Sequence, residues 1–364
     1  MKKFGEWGLY EMKNEDMLIQ GNITILDAMK CLDHTAKKVL FIVDGARRLQ
    51  ASVTDGDVRR WILAKGNLDA EVCLAANNHP IFLTEEKENR AFSLMKQRKI
   101  DAVPILDDGH RVIKIITAVG GEQEELSTEL SGIPVVIMAG GKGTRLYPYT
   151  KILPKPLIPI GDVPIIEHIM NQFHRYGCND FFLVVNHKKN MIKAYFAEND
   201  MGYHVTYADE EIPLGTGGGL SLLNGKIQTT FVLSNCDILI KEDFGKMYRQ
   251  HKSQGNLITM VCAAKHFQIP YGVIEIDEKG GIKEMSEKPS LSFLTNTGCY
   301  FVEPEVVANL KEPVCLSFPD IIEKYREAEA KIGIYPVSEN SWLDMGQMEE
   351  LRRMEEQYGK GDAE

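Results

Sequence analysis

The apolar run "IPVVIM" (133–138) empties directly into "AGGKGTRLYP" (139–148), and no other stretch of the 364 residues restricts the fold as much. Three glycines, an arginine and two lysines (Lys142 and Lys151) follow one short strand within a few residues. Glycine lets backbone N–H groups approach a ligand closely, and a run of such groups forms a concavity that suits phosphate. Two familiar phosphate loops are excluded by spacing. A P-loop requires Gly-Lys followed by Ser or Thr, with another Gly five positions before the second. Here Gly143 follows Lys142, and Val136 holds the upstream place. A dinucleotide loop requires a third Gly three residues after the second, where Leu146 stands instead.

The elements around this loop predict its setting. "PIIEHIMNQFHRYG" (164–177) places Ile165, Ile166, Ile169, Met170, Phe173 and Tyr176 on one helical face, opened by Pro164 and closed by Gly177. "FFLVVN" reads as a buried strand, "KKNMIKAYFAEN" as a helix and "HVTYADE" as a strand. This alternation predicts an α/β fold with a Rossmann-like mixed, mostly parallel sheet and helices on both faces. In such sheets ligands bind beyond the carboxyl ends of the strands, where the glycine loop falls.

Before the loop lies a different pattern. "GGEQEELSTELSG" is polar and acidic, and we read an acidic linker at 122–132. Upstream of it, "KKVLFIVDGARRLQASVTDGD" (37–57) is echoed by "RKIDAVPILDDGHRVIKIITAVGG" (98–121), Thr117 lying 117 − 54 = 63 residues after Thr54. Each unit reads as helix, strand, Asp-Gly-type turn and strand. In "TDGD", Thr54 and Asp57 can hold a phosphate and a ribose at a helix N-terminus, or can simply cap that helix. The second unit carries Gly120 where the carboxylate belongs.

Composition limits the partners. Net charge is 42 − 52 = −10, which argues against a nucleic-acid surface. No run approaches the ~18 apolar residues of a membrane span, and the N-terminus lacks an apolar core, so a cytoplasmic protein is expected. The seven cysteines form no Cys-x-x-Cys pair and read as reduced core thiols. His168 and His174 share a helix at a spacing unsuited to a joint ligand face.

"AGGKGTRLYPYTKILPKPLIPIGDVPIIEHI" resembles the signature of the sugar-1-phosphate nucleotidyltransferases, the glucose-1-phosphate thymidylyltransferase and mannose-1-phosphate guanylyltransferase group. "PLGTGGGL" (213–220), "FVLSNCDILI", "YGVIEID", "SEKPSLSFLTNTGCYFVEPE" and "WLDMG" extend the likeness to about residue 346. The resemblance implies catalysis by Arg145 and Lys155. It implies nucleotide binding by Ala139, Gly140, Gly141, Gly143, Thr144, Glu210, Gly215, Thr216 and Gly218. It implies Mg²⁺ on Asp237 and Asp344, and sugar-phosphate contacts from Gly272, Glu287, Lys288 and Asn296. The chemistry needs these residue types. A sugar phosphate oxygen, already an anion near neutral pH because its second pKa is about 6, attacks the α-phosphorus of an NTP. Pyrophosphate leaves, so catalysis rests on positioning and charge neutralisation. Arg145 offers a planar fork, Lys155 between two prolines a point charge, and the two aspartates a cation site. Asp237 is expected at a cleft surface, so that Asp237→Ala removes turnover and leaves the fold. Asp344, with Gly346 after it, would equally start a turn into "QMEELRRMEEQYG".

The repeats resemble a tandem CBS module, an α+β pair that can hold a nucleotide. The domains are then CBS 1 at 8–68, CBS 2 at 72–121 and a catalytic domain at 133–358. That resemblance implies a regulatory nucleotide near Thr54 and Asp57, and a homo-oligomer. Glu210 and Glu211 precede the second glycine segment. A carboxylate accepts both N1–H and the N2 amine of guanine, so the pair leans toward GTP; it is also explicable as solvated charge. The domain arrangement resembles guanylyltransferases of bacterial surface-sugar routes, such as those making GDP-glucosamine for legionaminic acid, which suggests glucosamine 1-phosphate. A uridylyl- or thymidylyltransferase and a non-catalytic nucleotide sensor stay open as alternatives.

Overall fold

The computed structural model describes residues 14–35, 38–98, 100–117, 127–198, 201–346 and 348–358. Gly120 lies outside them, as do both outer ends of the repeat region and part of the acidic linker. The chain divides into two compact units, Met1–Gln123 and Glu124–Glu364.

The first unit is two copies of one motif. β1 (Leu18–Gln20), α1 (Ile25–Thr35), β2 (Val39–Val43), β3 (Leu49–Thr54) and α2 (Asp55–Leu63) form the first copy. β4 (Leu83–Thr84), α3 (Ala91–Arg98), β5 (Ala102–Leu106) and β6 (Val112–Thr117) form the second. Each copy has a three-stranded sheet. The offset of 63 residues holds to the single pair: Val39 faces Thr54, and Ala102 faces Thr117. Both hairpins bulge at the same step and turn through a non-glycine residue at positive φ, Arg47 in one and His110 in the other. In both turns an aspartate, Asp44 or Asp107, accepts two backbone N–H bonds and holds the reversal. The copies meet across a shared apolar layer that includes Phe41, Val43, Leu106 and Ile115.

The second unit is built on a seven-stranded sheet in the order β11-β10-β7-β12-β17-β14-β18. Its central strand β7 (Val135–Ala139) is followed by the glycine loop and a short helix α4 (Tyr149–Ile152). The small hairpin β8 (Pro159–Ile160) and β9 (Val163–Pro164) leads to α5 (Ile165–His174). β10 (Asp180–Val185), α6 (Lys189–Glu198) and β11 (His204–Asp209) extend the sheet on one side. After α7 (Gly215–Gly218) the chain crosses over to β12 (Phe231–Asn235), on the other side of β7. β13 (Ile238–Ile240), α8 (Phe244–Gln254), β14 (Ile258–Gln268), β15 (Val273–Ile276), β16 (Ile282–Ser286) and β17 (Ser290–Val302) follow. The unit closes with α9 (Glu305–Ala308), α10 (Phe318–Glu327), β18 (Ile332–Ser338), β19 (Trp342–Asp344) and α11 (Met348–Tyr358).

Only β17 runs against the other strands of the sheet, pairing antiparallel with both β12 and β14. β7 is buried throughout because helices cover both faces: Val135 and Ile137 enter one apolar layer, Val136 and Met138 the other. The apolar stripe of α5 is buried as its periodicity predicts, from Ile165 to Phe173, and Tyr176 packs against the same layer. Strand order reverses at β7, with β10 on one side and β12 on the other. A crevice therefore opens beyond the carboxyl ends of β7 and β12. The thiols differ in part from the sequence expectation. Cys178, Cys236, Cys262 and Cys299 are buried, with burial pushing each up to about 12, whereas Cys73 and Cys315 are exposed.

Candidate functional site

Four of the expected charged residues come together in that crevice. Lys155 and Asp237 form a buried ion pair, their side chains 10% and 12% exposed. β13 and β19 pair so that Asp344 faces Ile238, and the Met345 N–H donates to the Asp237 carbonyl at 2.8 Å. A two-stranded ladder thus sets two carboxylates side by side from positions 107 residues apart in sequence. Burial raises the Asp344 carboxyl above the usual carboxylate range, and the Asp237 charge raises it further; Lys155 and Arg145 oppose this. Arg145 is exposed. It lines a cleft of about 230 Å³ with Thr216, Asp237, Asn296 and Asp344.

The glycines have separable reasons. Gly143 sits in the left-handed region at φ 64°, where a Cβ would also press on Thr150 Cγ2 at 2.9 Å and Lys155 Cβ at 3.1 Å. Its carbonyl accepts the Thr150 hydroxyl at 2.7 Å. A Cβ on Gly140 would meet Glu210 Oε2 at 2.6 Å, whereas around Gly141 the space is open. In the second segment Gly215 is left-handed at φ 76°, and for the glycines after it the cause is packing. The Gly217 and Gly218 N–H groups both donate to the Leu316 carbonyl at 2.9 Å, and a Cβ on Gly218 would strike the Val314 carbonyl. Thr216 Oγ1 accepts the Phe318 N–H at 3.1 Å and so ties the segment to the start of α10.

The acidic pair is split. Glu211 is exposed, while Glu210 is 5% exposed and its carboxyl is raised by burial. Of the remaining expected contacts, Ala139 ends β7 as a buried residue and Thr144 is exposed. Asn296 donates to Tyr300 Oη at 2.6 Å and lines the cleft. Gly272, Glu287 and Lys288 are exposed on the ribbon formed by the outer parts of β14 to β17 and are not among the cleft-lining residues. Sequence reasoning passed over Asn235, Thr297, Gly298, Phe318, Pro319 and Trp342 as cleft walls. Asn235, Thr297, Gly298 and Trp342 stand inside the recognised motifs; Phe318 and Pro319 carried no signal. His168 and His174 bond the Ile160 and Cys178 carbonyls.

In the first unit, Thr54 and Asp57 form a complete capping box for α2. The Asp57 carboxylate accepts the Thr54 hydroxyl at 2.6 Å and N–H at 2.9 Å, and also pairs with Arg60.

Could the acid pair hold a divalent cation? Two adjacent carboxylates, one destabilised by the other, gain from a positive ion between them. Among the described residues no group of three or more His, Cys, Asp or Glu forms a metal cage. A cation held here takes its other ligands from substrate and water, the habit of Mg²⁺ rather than of zinc. The residues fit Mg²⁺.

An open α/β sheet whose strand-order reversal carries a glycine loop, two basic side chains and an acid pair has the layout in which sheets of this class bind nucleotides. The chain belongs to the nucleotidyl transferase family, whose model matches residues 134–361. It is 29% identical over 231 residues to mannose-1-phosphate guanylyltransferase from Mycobacterium tuberculosis, covering 61% of this chain and 63% of that one. It is 32% identical over 191 residues to UTP–glucose-1-phosphate uridylyltransferase from Synechocystis sp., covering 47% and 49%. The chain therefore spans less than two thirds of the length of these curated relatives. The fold is similar to that of HddC from Yersinia pseudotuberculosis, with TM-score 0.50 and 21% identity over 62% of this chain and 99% of that one. No helix among the described residues is long and apolar enough to cross a membrane.

Proposed function

We propose that the chain transfers a nucleoside monophosphate from an NTP to a sugar 1-phosphate, releasing pyrophosphate. The observation that carries this reading is the convergence of Arg145, Lys155, Asp237 and Asp344 at the strand-order reversal. Asp237 and Asp344 would hold Mg²⁺, which supplies charge neutralisation at the phosphates. The open backbone around Gly141 would receive the phosphates, Arg145 would brace the leaving pyrophosphate, and Lys155 would orient the incoming phosphate. Asn296 lies on the same cleft; Gly272, Glu287 and Lys288 would meet the sugar from the ribbon.

GTP is the favoured nucleotide in this reading. The Glu210 carboxylate beside Gly140 is poorly solvated and, beyond the Leu214 N–H it already accepts, keeps acceptor lone pairs that match the two donors of guanine. Glucosamine 1-phosphate is the proposed acceptor, on domain arrangement. The first unit would act as a CBS pair taking a regulatory nucleotide near Thr54 and Asp57, and would support a homo-oligomer. The two copies related by 63 residues support that reading. Pyrophosphate release measured for four NTPs against a panel of sugar 1-phosphates tests the activity and the nucleotide together. Release with UTP or dTTP but not GTP would reject the base assignment. No release with any pair would favour the sensor, which calorimetric titration with AMP, ATP, GDP and GTP would then examine.

A further inference from the structure

We propose that Lys188 is a positioning residue that clasps the glycine loop in its phosphate-receiving form; the inference rests on the nucleotidyl transfer proposed above. Lys188 follows β10 with a left-handed backbone at φ 54°, an uncommon conformation for a non-glycine residue. Its ammonium donates to three successive carbonyls, Thr150 at 3.0 Å, Lys151 at 2.6 Å and Ile152 at 2.9 Å. An ammonium has three donors, so all are used within the protein and none is left for substrate. These carbonyls form the open end of α4, where helical geometry leaves them without partners and where a cation is favoured.

The contacts continue inward. Thr150, one of the three residues held, donates its hydroxyl to the Gly143 carbonyl at 2.7 Å and packs beneath that glycine beside Lys155. From the other side, the His187 N–H donates to the Gly140 carbonyl at 3.4 Å, and Asn186 lies against Gly140 and donates to the Glu210 carbonyl at 3.2 Å. Residues 186 to 188 thus grip the loop at both ends. The effect of Lys188 reaches the nucleotide through Thr150 and Gly143.

Losing charge-assisted bonds of this kind should lower the equilibrium constant for the competent loop on the order of 10- to 100-fold, and nucleotide affinity by up to the same factor. In the full chain, Lys188→Met should raise the NTP KM by up to that factor and leave the sugar 1-phosphate KM within about twofold. Lys188→Arg, which retains donors, should recover part of the loss. Hydrogen exchange should quicken at 144–155 and stay unchanged at 231–240. Unchanged exchange at 144–155, or equal acceleration throughout the second unit, overturns the proposal. If Lys188→Met does not fold, Thr150→Val cuts the same chain of contacts one link further in and should give the same local exchange. Wild-type protein releasing no pyrophosphate would reject the transfer activity, while the exchange result would still decide the clasp.

Discussion

Replacing Asp237 by Ala should damage stability as well as activity, and the two effects should separate in a double variant. Asp237 is not the surface ligand its position after a strand suggests: it is 8% exposed and paired with the equally buried Lys155. Removing one partner strands the ammonium in a poorly solvated place, which costs about 3–5 kcal/mol. A Coulomb attraction of about 4 kcal/mol at 4 Å and an effective dielectric of 20 agrees. Asp344 lies near enough to interact with Lys155 and takes up part of the loss, so the lower end, about 3 kcal/mol, is expected. For a unit of this size that lowers Tm by roughly 6–12 °C. Replacing both partners with apolar residues, Asp237→Leu with Lys155→Met, removes the stranded charge and should recover most of the Tm. Turnover should be absent in both variants. Calorimetry on the metal-free chain, which distinguishes the transitions of the two units, alongside pyrophosphate release in Mg²⁺ checks this. An Asp237→Ala Tm within about 2 °C of wild type, or a double variant as unstable as the single, would refute the argument. Wild-type turnover in Asp237→Ala would refute the cation site.

Asp344→Asn should stabilise the metal-free protein at neutral pH. The folded carboxyl lies above its unfolded value, so its ionised form costs stability above the folded pKa. That cost fades as pH falls through the folded pKa and is gone below about 3.9, the ordinary Asp value. Denaturation curves from pH 8 to 4 should therefore converge for variant and wild type at the acid end; a constant difference would sink the assignment. Arg145→Ala should lose on the order of 10²–10³ in kcat, and Arg145→Lys should not restore it, because a point charge cannot copy a planar fork. Near-full turnover in the lysine variant would give Arg145 another role. Glu210→Gln, which exchanges one acceptor for a donor, should lower kcat/KM for GTP by about tenfold or more relative to UTP. An unchanged ratio would remove Glu210 from base selection.

What sequence alone determined here was local. The strand before the glycine loop, the apolar stripe of α5 and the 63-residue repeat were legible because apolar period and turn chemistry act over a few residues. The mixed sheet followed from the alternation of elements, although the reversal of β17 has no local signature. Gly143 was readable as a loop glycine, but its demand for a left-handed backbone and for space above Thr150 was not. Tertiary structure decided the rest. Lys155 meets Asp237 across 82 residues, and Asp344 reaches Asp237 only because β19 pairs with β13. Glu210 and Glu211 are chemically alike and adjacent, and only packing against Gly140 and Gly219 buries the first and leaves the second in water. Lys188 gave no signal, since a lysine after a strand is ordinary until the carbonyls of α4 are folded against it. Burial, pairing and like-charge proximity are properties of distances in space, and a chain's local pattern does not contain them.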